Sequence, residues 1–377
     1  MTEPAHRVHG MAGNHVPAHW PPLTAEEVRA VLATYPVIGE VRAITWHSPR
    51  PLSAACLVQC AHAQVFIKRH HAHVRSVTML EQEHRFSDHL RAAGMPIPPV
   101  LRDNRGRSAC ALQHWVYEVH ARAEGIDLHR QTISWVPLVN VHHARSAGAM
   151  LGRLHHAADG YVAPQRTTHL LVARSELLCA TDPLAALAAQ LPQRPALARY
   201  LQARPWREQL AATLAPWHRH VQPRLARQPV LWTHGDWHVS NLCWSSAADN
   251  ARVSAVLDFG LCAATFALFD LATAIERNAI DWLQLQSGTC RGHADIARAL
   301  IAGYRHAYPL DADAIHLLAD LLPLVHLDFA LSEVEYFASF IGEQQADVAF
   351  DTFLRGHAAW FANADGTAML EAIRACA

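Results

Sequence analysis

Three side chains that handle protons and metal ions stand at fixed spacing in this chain. Asp236 lies in His234-Gly235-Asp236-Trp237-His238-Val239-Ser240-Asn241. Asn241 follows five residues later, and Asp258 seventeen after that, in Val256-Leu257-Asp258-Phe259-Gly260. Transfer of a phosphoryl group from ATP needs such a set. One carboxylate accepts or orients the proton of the attacking hydroxyl. An amide oxygen and a second carboxylate hold the magnesium ions that bridge the phosphates. The spacing alone is a weak signal. The His-Gly in front and the apolar strand ending in Asp-Phe-Gly behind make it a specific one. Asp236 is therefore expected to be the base, and Asn241 and Asp258 the Mg2+ ligands.

A second observation points the same way. Lys68 is the only lysine among 377 residues. It ends the apolar run Gln64-Val65-Phe66-Ile67-Lys68, where an ammonium on a flexible stem can grip the α- and β-phosphates. A planar guanidinium is a different tool, so arginine would not replace it there.

The elements that must position these groups are legible in outline. Thr24-Ala25-Glu26-Glu27 is a capping box opening a helix through Tyr35. Strands are expected at Val41–Trp46, Ala55–Cys60, Gln64–Lys68, near Val100–Leu101 and at Cys110–Val119. A helix from Val77 to Ala93 puts Met79, Glu83, Phe86 and Leu90 on one face. Glu83 then points inward and wants a cation, for which Lys68 is the candidate. Helices follow at Arg145–His156 and Trp206–Arg224, then a strand at Val230–Trp232. The pattern after Asp258 is helical to the end. The expected division is a leader over residues 1–22, a strand-rich lobe over 23–119 and a helical lobe over 120–377.

Composition narrows the function classes. The chain is 51% hydrophobic and 17% charged, with a formal net charge of −1. No basic field exists to draw nucleic acid or an anionic membrane. No uninterrupted apolar run reaches membrane-spanning length, and no export signal is read at the N-terminus. A cytoplasmic protein is expected. The eight cysteines form no Cys-x-x-Cys pair, and the 28 histidines match no zinc spacing.

The residues resemble the aminoglycoside phosphotransferase and choline kinase-like family. Its pattern is His-Gly-Asp-x-His-x-x-Asn, an apolar strand ending in Asp-Phe, then Asp-Leu-Ala. This chain has His234, Gly235, Asp236, His238, Asn241, Asp258, Phe259 and Asp270-Leu271-Ala272. Leu90 to Pro98 and Leu151 to His155 resemble flanking parts, and Ile301-Ala302-Gly303-Tyr304 resembles the homoserine-kinase-type branch. The resemblance implies an α+β, two-lobed protein-kinase-like fold, with a small antiparallel sheet and one key helix before a larger helical lobe. It implies Lys68 and Glu83 as the phosphate-gripping pair, and Asp270, with His234, as support for the catalytic loop. Adenine would rest on the connector Tyr117-Glu118-Val119-His120, so that Glu118 and His120 enter as nucleotide-binding positions with Ser53 of the first hairpin. That hairpin, His47 to Ala55, has two prolines and no glycine, which leaves ATP over GTP open.

For the acceptor the resemblance implies a small hydroxylated cation. His238, Glu276, Asp328 and Glu335 are the candidate contacts. Glu276 follows the Asp-Leu-Ala motif by a helical turn, while Asp328, Ser332 and Glu335 form a polar stripe on an apolar helix. A homoserine-like amino-alcohol or amino-acid-like acceptor is expected. An aminoglycoside or a protein serine or threonine is the alternative. An inactive nucleotide-binding pseudokinase is the rival from another class, against which all five chemical positions carry competent residues.

Overall fold

The computed structural model describes residues 6–11 and 13–377. The chain divides into two compact units, Met1–Ser134 with Leu242–Ser246 and Ser254–Gly260, and Trp135–Asn241 with Ala247–Val253 and Leu261–Ala377. The division is therefore discontinuous, and the first crossing falls at Ser134 rather than at the expected residue 119. The stretch expected to be a leader contains a hairpin of β1 (Arg7–His9) and β2 (His15–Pro17). His9 N donates to Pro49 O at 2.8 Å, tying that hairpin to the segment between His47 and Ala55.

In the first unit the capping box opens α1 (Ala25–Leu32), with Glu27 N donating to Thr24 Oγ1 and Thr24 N to Glu27 Oε2. The helix stops short of Tyr35 because Pro36 begins a 3-10 turn. Then come β3 (Val41–His47), β4 (Ala54–Cys60), β5 (Gln64–His71), α2 (Val77–Ala92), β6 (Ala109–Leu112) and β7 (Trp115–Ala121). The sheet is antiparallel in the order β3-β4-β5-β7-β6. The expected single strand over Cys110–Val119 is thus a hairpin, turned by Gln113 in the left-handed region at φ 56°. Val100 makes only an isolated bridge to His120. Side chains alternate across a strand. Val65 and Ile67 of β5 enter the core with Val28, Val31 and Leu32 of α1. Phe66, Lys68 and His70 fall on the opposite face.

The second unit begins with α3 (Val141–Ala158), followed by α4 (Glu176–Cys179), α5 (Pro183–Gln190), α6 (Pro195–Gln202), α7 (Trp206–Leu214) and α8 (His218–Leu225). The expected helix Trp206–Arg224 is two helices, broken around Pro216. Next in chain order are β8 (Leu231–Thr233), then β9 (Leu242–Trp244) and β10 (Val253–Val256), which apart from Val253 belong to the first unit, and β11 (Ala263–Thr265). β9 pairs with β10, and β11 pairs antiparallel with β8. The helical pattern expected after Asp258 therefore starts one short strand late, with α9 (Ala267–Asn278), α10 (Ala294–Ala307), α11 (Ala312–Leu321) and α12 (Leu327–Phe340). α13 (Glu343–Asp347), a π-helical segment, α14 (His357–Trp360) and α15 (Ala364–Arg374) complete the chain. α3 and α10 touch backbone to backbone. A Cβ on Gly303 would stand 1.9 Å from Arg145 O, so glycine is required there. Ala312–Phe340 is long and apolar enough to cross a membrane, yet 83% of its 18-residue apolar window is buried within the protein. Pro323 breaks it between α11 and α12.

Candidate active site

In the second unit the loop after β8 is shaped by Asp270 of α9. Its Oδ2 accepts from His234 N at 2.9 Å and its Oδ1 from Gly235 N at 2.9 Å. His155 of α3 approaches Oδ2 through Nε2 at 3.0 Å and meets Tyr304 of α10 through Nδ1 at 2.7 Å. Asp270 and His155 are fully buried. Burial would raise the Asp270 pKa, but His155, His234 and the Gly235 amide outweigh it and hold the carboxyl below its usual range. Gly235 has φ 76°, and a Cβ there would stand 2.6 Å from that of Ala173, which explains the glycine. Asn278 finishes the loop, donating to Trp237 O at 2.7 Å and accepting from Val239 N at 3.1 Å. In the sequence His155 is only the end of a flanking resemblance, with no role, and Asn278 carries no local signal.

Asp236 sits in this loop with three polar neighbours. Asn241 Nδ2 donates to its carbonyl at 2.9 Å and its Oδ2 at 3.1 Å. His238 Nε2 is 3.5 Å from Oδ2, and Arg277 Nη1 is 3.7 Å from Oδ1. Burial alone would raise its pKa, but His238, then Arg277 and His234, hold Asp236 well below the usual carboxylate range. It is a carboxylate throughout the neutral range. Because Asn241 spends its Nδ2 on Asp236, its Oδ1 is the atom left to face a cation.

Arg277 is itself tightly placed. Its guanidinium lies 3.8 Å above the Trp135 ring and 5.0 Å from that of Phe329. Trp135 adopts φ 74°, a strained conformation for a bulky residue. Arg277 Nε is 3.5 Å from Glu276 Oε2. Glu276 is 1% exposed, and neither carboxylate oxygen has a hydrogen-bond partner.

Two of the expected acceptor contacts are committed elsewhere. Asp328 accepts from Leu177 N at 3.3 Å, and burial, then the charge of Glu176, pushes its pKa up to about 8. A carboxyl that is largely neutral at pH 7 holds a cation poorly. Glu335 is bound by Arg194 at 2.6 Å. Asp328 and Glu335 of the polar stripe on α12 therefore both have internal partners.

In the first unit Lys68 Nζ lies 2.9 Å from both carboxylate oxygens of Asp258. Burial would lower the lysine pKa, but Asp258 and then Glu118 outweigh it and raise it. Asp258 has φ 55° and accepts from Gly260 N at 3.2 Å. The hydrogen-bonded cation of Glu83 is not the expected Lys68 but Arg75, through Nε at 2.9 Å. Arg75 Nη2 also donates to Gly260 O at 2.9 Å. Phe259 meets Phe86 of α2 edge to face, with centroids 6.0 Å apart.

The expected adenine register also moves. Glu118 and His120 lie inside β7, paired with Lys68 and Phe66 of β5. On its other side Val119 O accepts from Leu101 N, and Ala121 N donates to Pro99 O. The ladder continues to Arg122 N on Gln64 O, so the backbone of this connector is committed to the sheet as far as Arg122. The Glu118 side chain is instead enclosed by His70, His84 and His120 at 2.8 to 2.9 Å. Ser53 remains half-buried at the end of the first hairpin loop. Arg50, in the same loop, is held by Thr132 O and Ser134 Oγ at 2.9 and 2.8 Å.

A carboxylate in a braced loop and a lysine on a strand fit a phosphotransferase of the kinase-like fold. Residues 52–318 match the phosphotransferase enzyme family, and the chain belongs to that family. No curated protein matches it. Similar solved structures include a microcompartment-associated aminopropanol kinase, at 16% identity and TM-score 0.56, covering 91% of this chain and 99% of that one. An amicoumacin kinase with AMP-PNP and Ca2+ follows at 16% identity and TM-score 0.55, covering 93% and 95%. An aminoglycoside phosphotransferase from Alicyclobacillus acidocaldarius has 14% identity and TM-score 0.51, covering 94% and 97%. These likenesses establish the fold.

Proposed function

We propose that this phosphotransferase moves the γ-phosphate of ATP to the hydroxyl of a small, homoserine-like hydroxy amino acid. Asp236 is the observation that carries the reading. It is a half-buried carboxylate kept ionised by three neighbouring polar side chains and oriented by Asn241. In that state it can accept the hydroxyl proton as the acceptor oxygen attacks. Asn241 Oδ1 and Asp258 are hard oxygen donors of the kind magnesium takes, and they are its proposed ligands. Bound there, magnesium would neutralise phosphate charge. Lys68 now rests on Asp258 and would pass to the α- and β-phosphates when nucleotide binds.

Arg277 favours an amino-acid-like acceptor over an aminoglycoside. It is a nearly buried guanidinium beside the proposed base, and its Nε has no hydrogen-bond partner. A carboxylate on the acceptor would satisfy it. His238, 3.5 Å from Asp236, is the other proposed acceptor contact. The test is a radiolabelled-phosphate screen of the purified chain over hydroxy amino acids, amino alcohols, aminoglycosides and a protein substrate. Transfer to a hydroxy amino acid, lost in Asp236→Asn, is expected. Nucleotide binding without transfer to any acceptor would make the chain a pseudokinase, and transfer to aminoglycosides alone would redirect the acceptor reading.

A further inference from the structure

Among the described residues two clusters of histidine and glutamate stand out, and their carboxylates differ in one respect. Around Glu118 in the first unit, three imidazoles hydrogen-bond one carboxylate at 2.8 to 2.9 Å. That carboxylate is satisfied by the cluster's own imidazoles, although His84 Nδ1 has no partner. Around Glu276 in the second unit the groups converge without satisfying one another. His357 Nδ1 is 3.1 Å from Glu276 Oε1, and His326 Nδ1 is 3.7 Å from the same oxygen. Yet Glu276 Oε1 and Oε2, His326 Nε2 and both His357 nitrogens lack a hydrogen-bond partner. The three residues are 1%, 7% and 3% exposed. Leaving a carboxylate and two imidazoles dry and unpartnered costs free energy at each atom. Something that binds all three at once removes that cost.

We propose that Glu276, His326 and His357 form a site for a divalent transition-metal ion, best matched by Zn2+. One donor atom from each lies within 4.8 Å of the others. A tetrahedral zinc ion at about 2.0–2.1 Å from its donors spaces them by about 3.4 Å. The separations of 3.1 and 3.7 Å from Glu276 Oε1 bracket that value. Two imidazoles and one carboxylate make a zinc donor set, whereas magnesium and calcium prefer oxygen alone.

The surroundings are those of a metal centre. A ligating imidazole usually turns its other nitrogen to a carboxylate. Here His326 Nε2 is 3.5 Å from Glu333 Oε2, leaving Nδ1 for the ion. His357 is fixed by stacking on Trp282, with centroids 3.7 Å apart and planes 12° from parallel. Arg277 Nε lies 3.5 Å from Glu276 Oε2, the oxygen away from both histidines. The site shares no residue with the proposed magnesium ligands and does not depend on the assigned acceptor. Sequence spacing could not reveal it, because the ligands come from α9, the turn before α12 and the start of α14.

The test is metal binding, read apart from turnover. The full-length protein is stripped with a chelator, freed of it and titrated with Zn2+ alone by calorimetry. Metal content is counted after dialysis, and Co2+ serves as a spectroscopic stand-in for tetrahedral coordination. One tight site per chain is expected. Glu276→Gln and His326→Gln should each weaken it at least tenfold, while His73→Ala, from a surface histidine cluster, should leave it unchanged. Glu333→Gln keeps all three ligands and should weaken binding by about tenfold or more through loss of the outer partner. That variant keeps the proposal testable if a ligand variant fails to fold. A wild type with no stoichiometric site, or a site indifferent to Glu276, His326 and Glu333, overturns it. So does metal-free protein in which an amino-alcohol ammonium binds in a Glu276-dependent manner that Zn2+ does not compete.

Discussion

Arg75 joins Glu83 of α2 to the carbonyl of Gly260, two residues beyond Asp258, with both contacts at 2.9 Å. One guanidinium thus fixes the key helix of the first unit to the loop that carries the proposed magnesium ligand. Arg75 and Glu83 are each 3% exposed. Breaking a buried pair by removing one partner leaves an uncompensated charge and costs about 3–5 kcal/mol. Arg75→Ala should therefore lower the denaturation midpoint strongly. Arg75→Met with Glu83→Leu should recover much of the loss. Urea unfolding of the single and double variants measures the coupling. Additive effects would show that the pair is not the unit that holds α2.

The proposed base gives a second prediction. Asp236→Asn keeps the shape and removes the proton acceptor, so turnover should fall by roughly a hundredfold or more with nucleotide affinity kept. The Asp236 pKa is depressed, so the group remains ionised until the pH falls well below the neutral range. Between pH 6 and 8 the rate should show no acidic limb from Asp236. Initial rates across that range, with acceptor saturating, check both statements.

Asp328 gives the opposite pH signature, in stability rather than rate. Its folded pKa is raised to about 8, while an unfolded aspartate titrates near 3.9, about the reference value. Below the unfolded value both states are protonated and the group costs nothing. As pH rises from there toward the folded value, only the unfolded chain ionises, and stability falls. Asp328→Asn removes this penalty. The variant should gain more in melting temperature at pH 8 than at pH 5. An equal change at both values would mean that Asp328 is ionised in the folded protein.

What the sequence disclosed follows from where the information lies. The Asp236 loop and Lys68 were legible because each is set by residues adjacent in the chain. The inward phase of Glu83 followed from helical periodicity, but its partner did not. Arg75 precedes the Ser76 cap of α2 and reaches back through a fold that no local pattern encodes. His155 reaches Asp270 across 115 residues for the same reason. The β6–β7 hairpin was missed because its left-handed residue is Gln113 rather than glycine. Asp328 and Glu335 misled because their phase on α12 was right while their partners, Leu177 N and Arg194, come from elsewhere.

Lys68 offers a chemical test that needs no variant. It is the only lysine, so an amine-directed acyl-phosphate nucleotide should label one side chain. ATP with magnesium should protect it, because the ammonium would leave Asp258 for the phosphates. Peptide mapping by mass spectrometry reads the site. Labelling that ATP does not reduce would separate Lys68 from the nucleotide.

The last prediction concerns acceptor choice. Arg277 stands 3.7 Å from Asp236, its guanidinium held over Trp135. A charge-assisted hydrogen bond contributes about 1.5–3 kcal/mol. Arg277→Gln should therefore raise KM for a hydroxy amino acid by roughly ten- to a hundredfold. An amino alcohol of the same length without the carboxylate has no such bond to lose, so its KM should change little. The substitution also removes a cation from beside Asp236, which raises the base pKa and moves any acidic limb upward for both acceptors. The comparison thus separates the two effects, since loss of recognition is specific to the carboxylate and the pH shift is shared. Equal KM changes for both acceptors would restrict Arg277 to tuning the base. The amino-acid reading of the acceptor would then have no support from this residue.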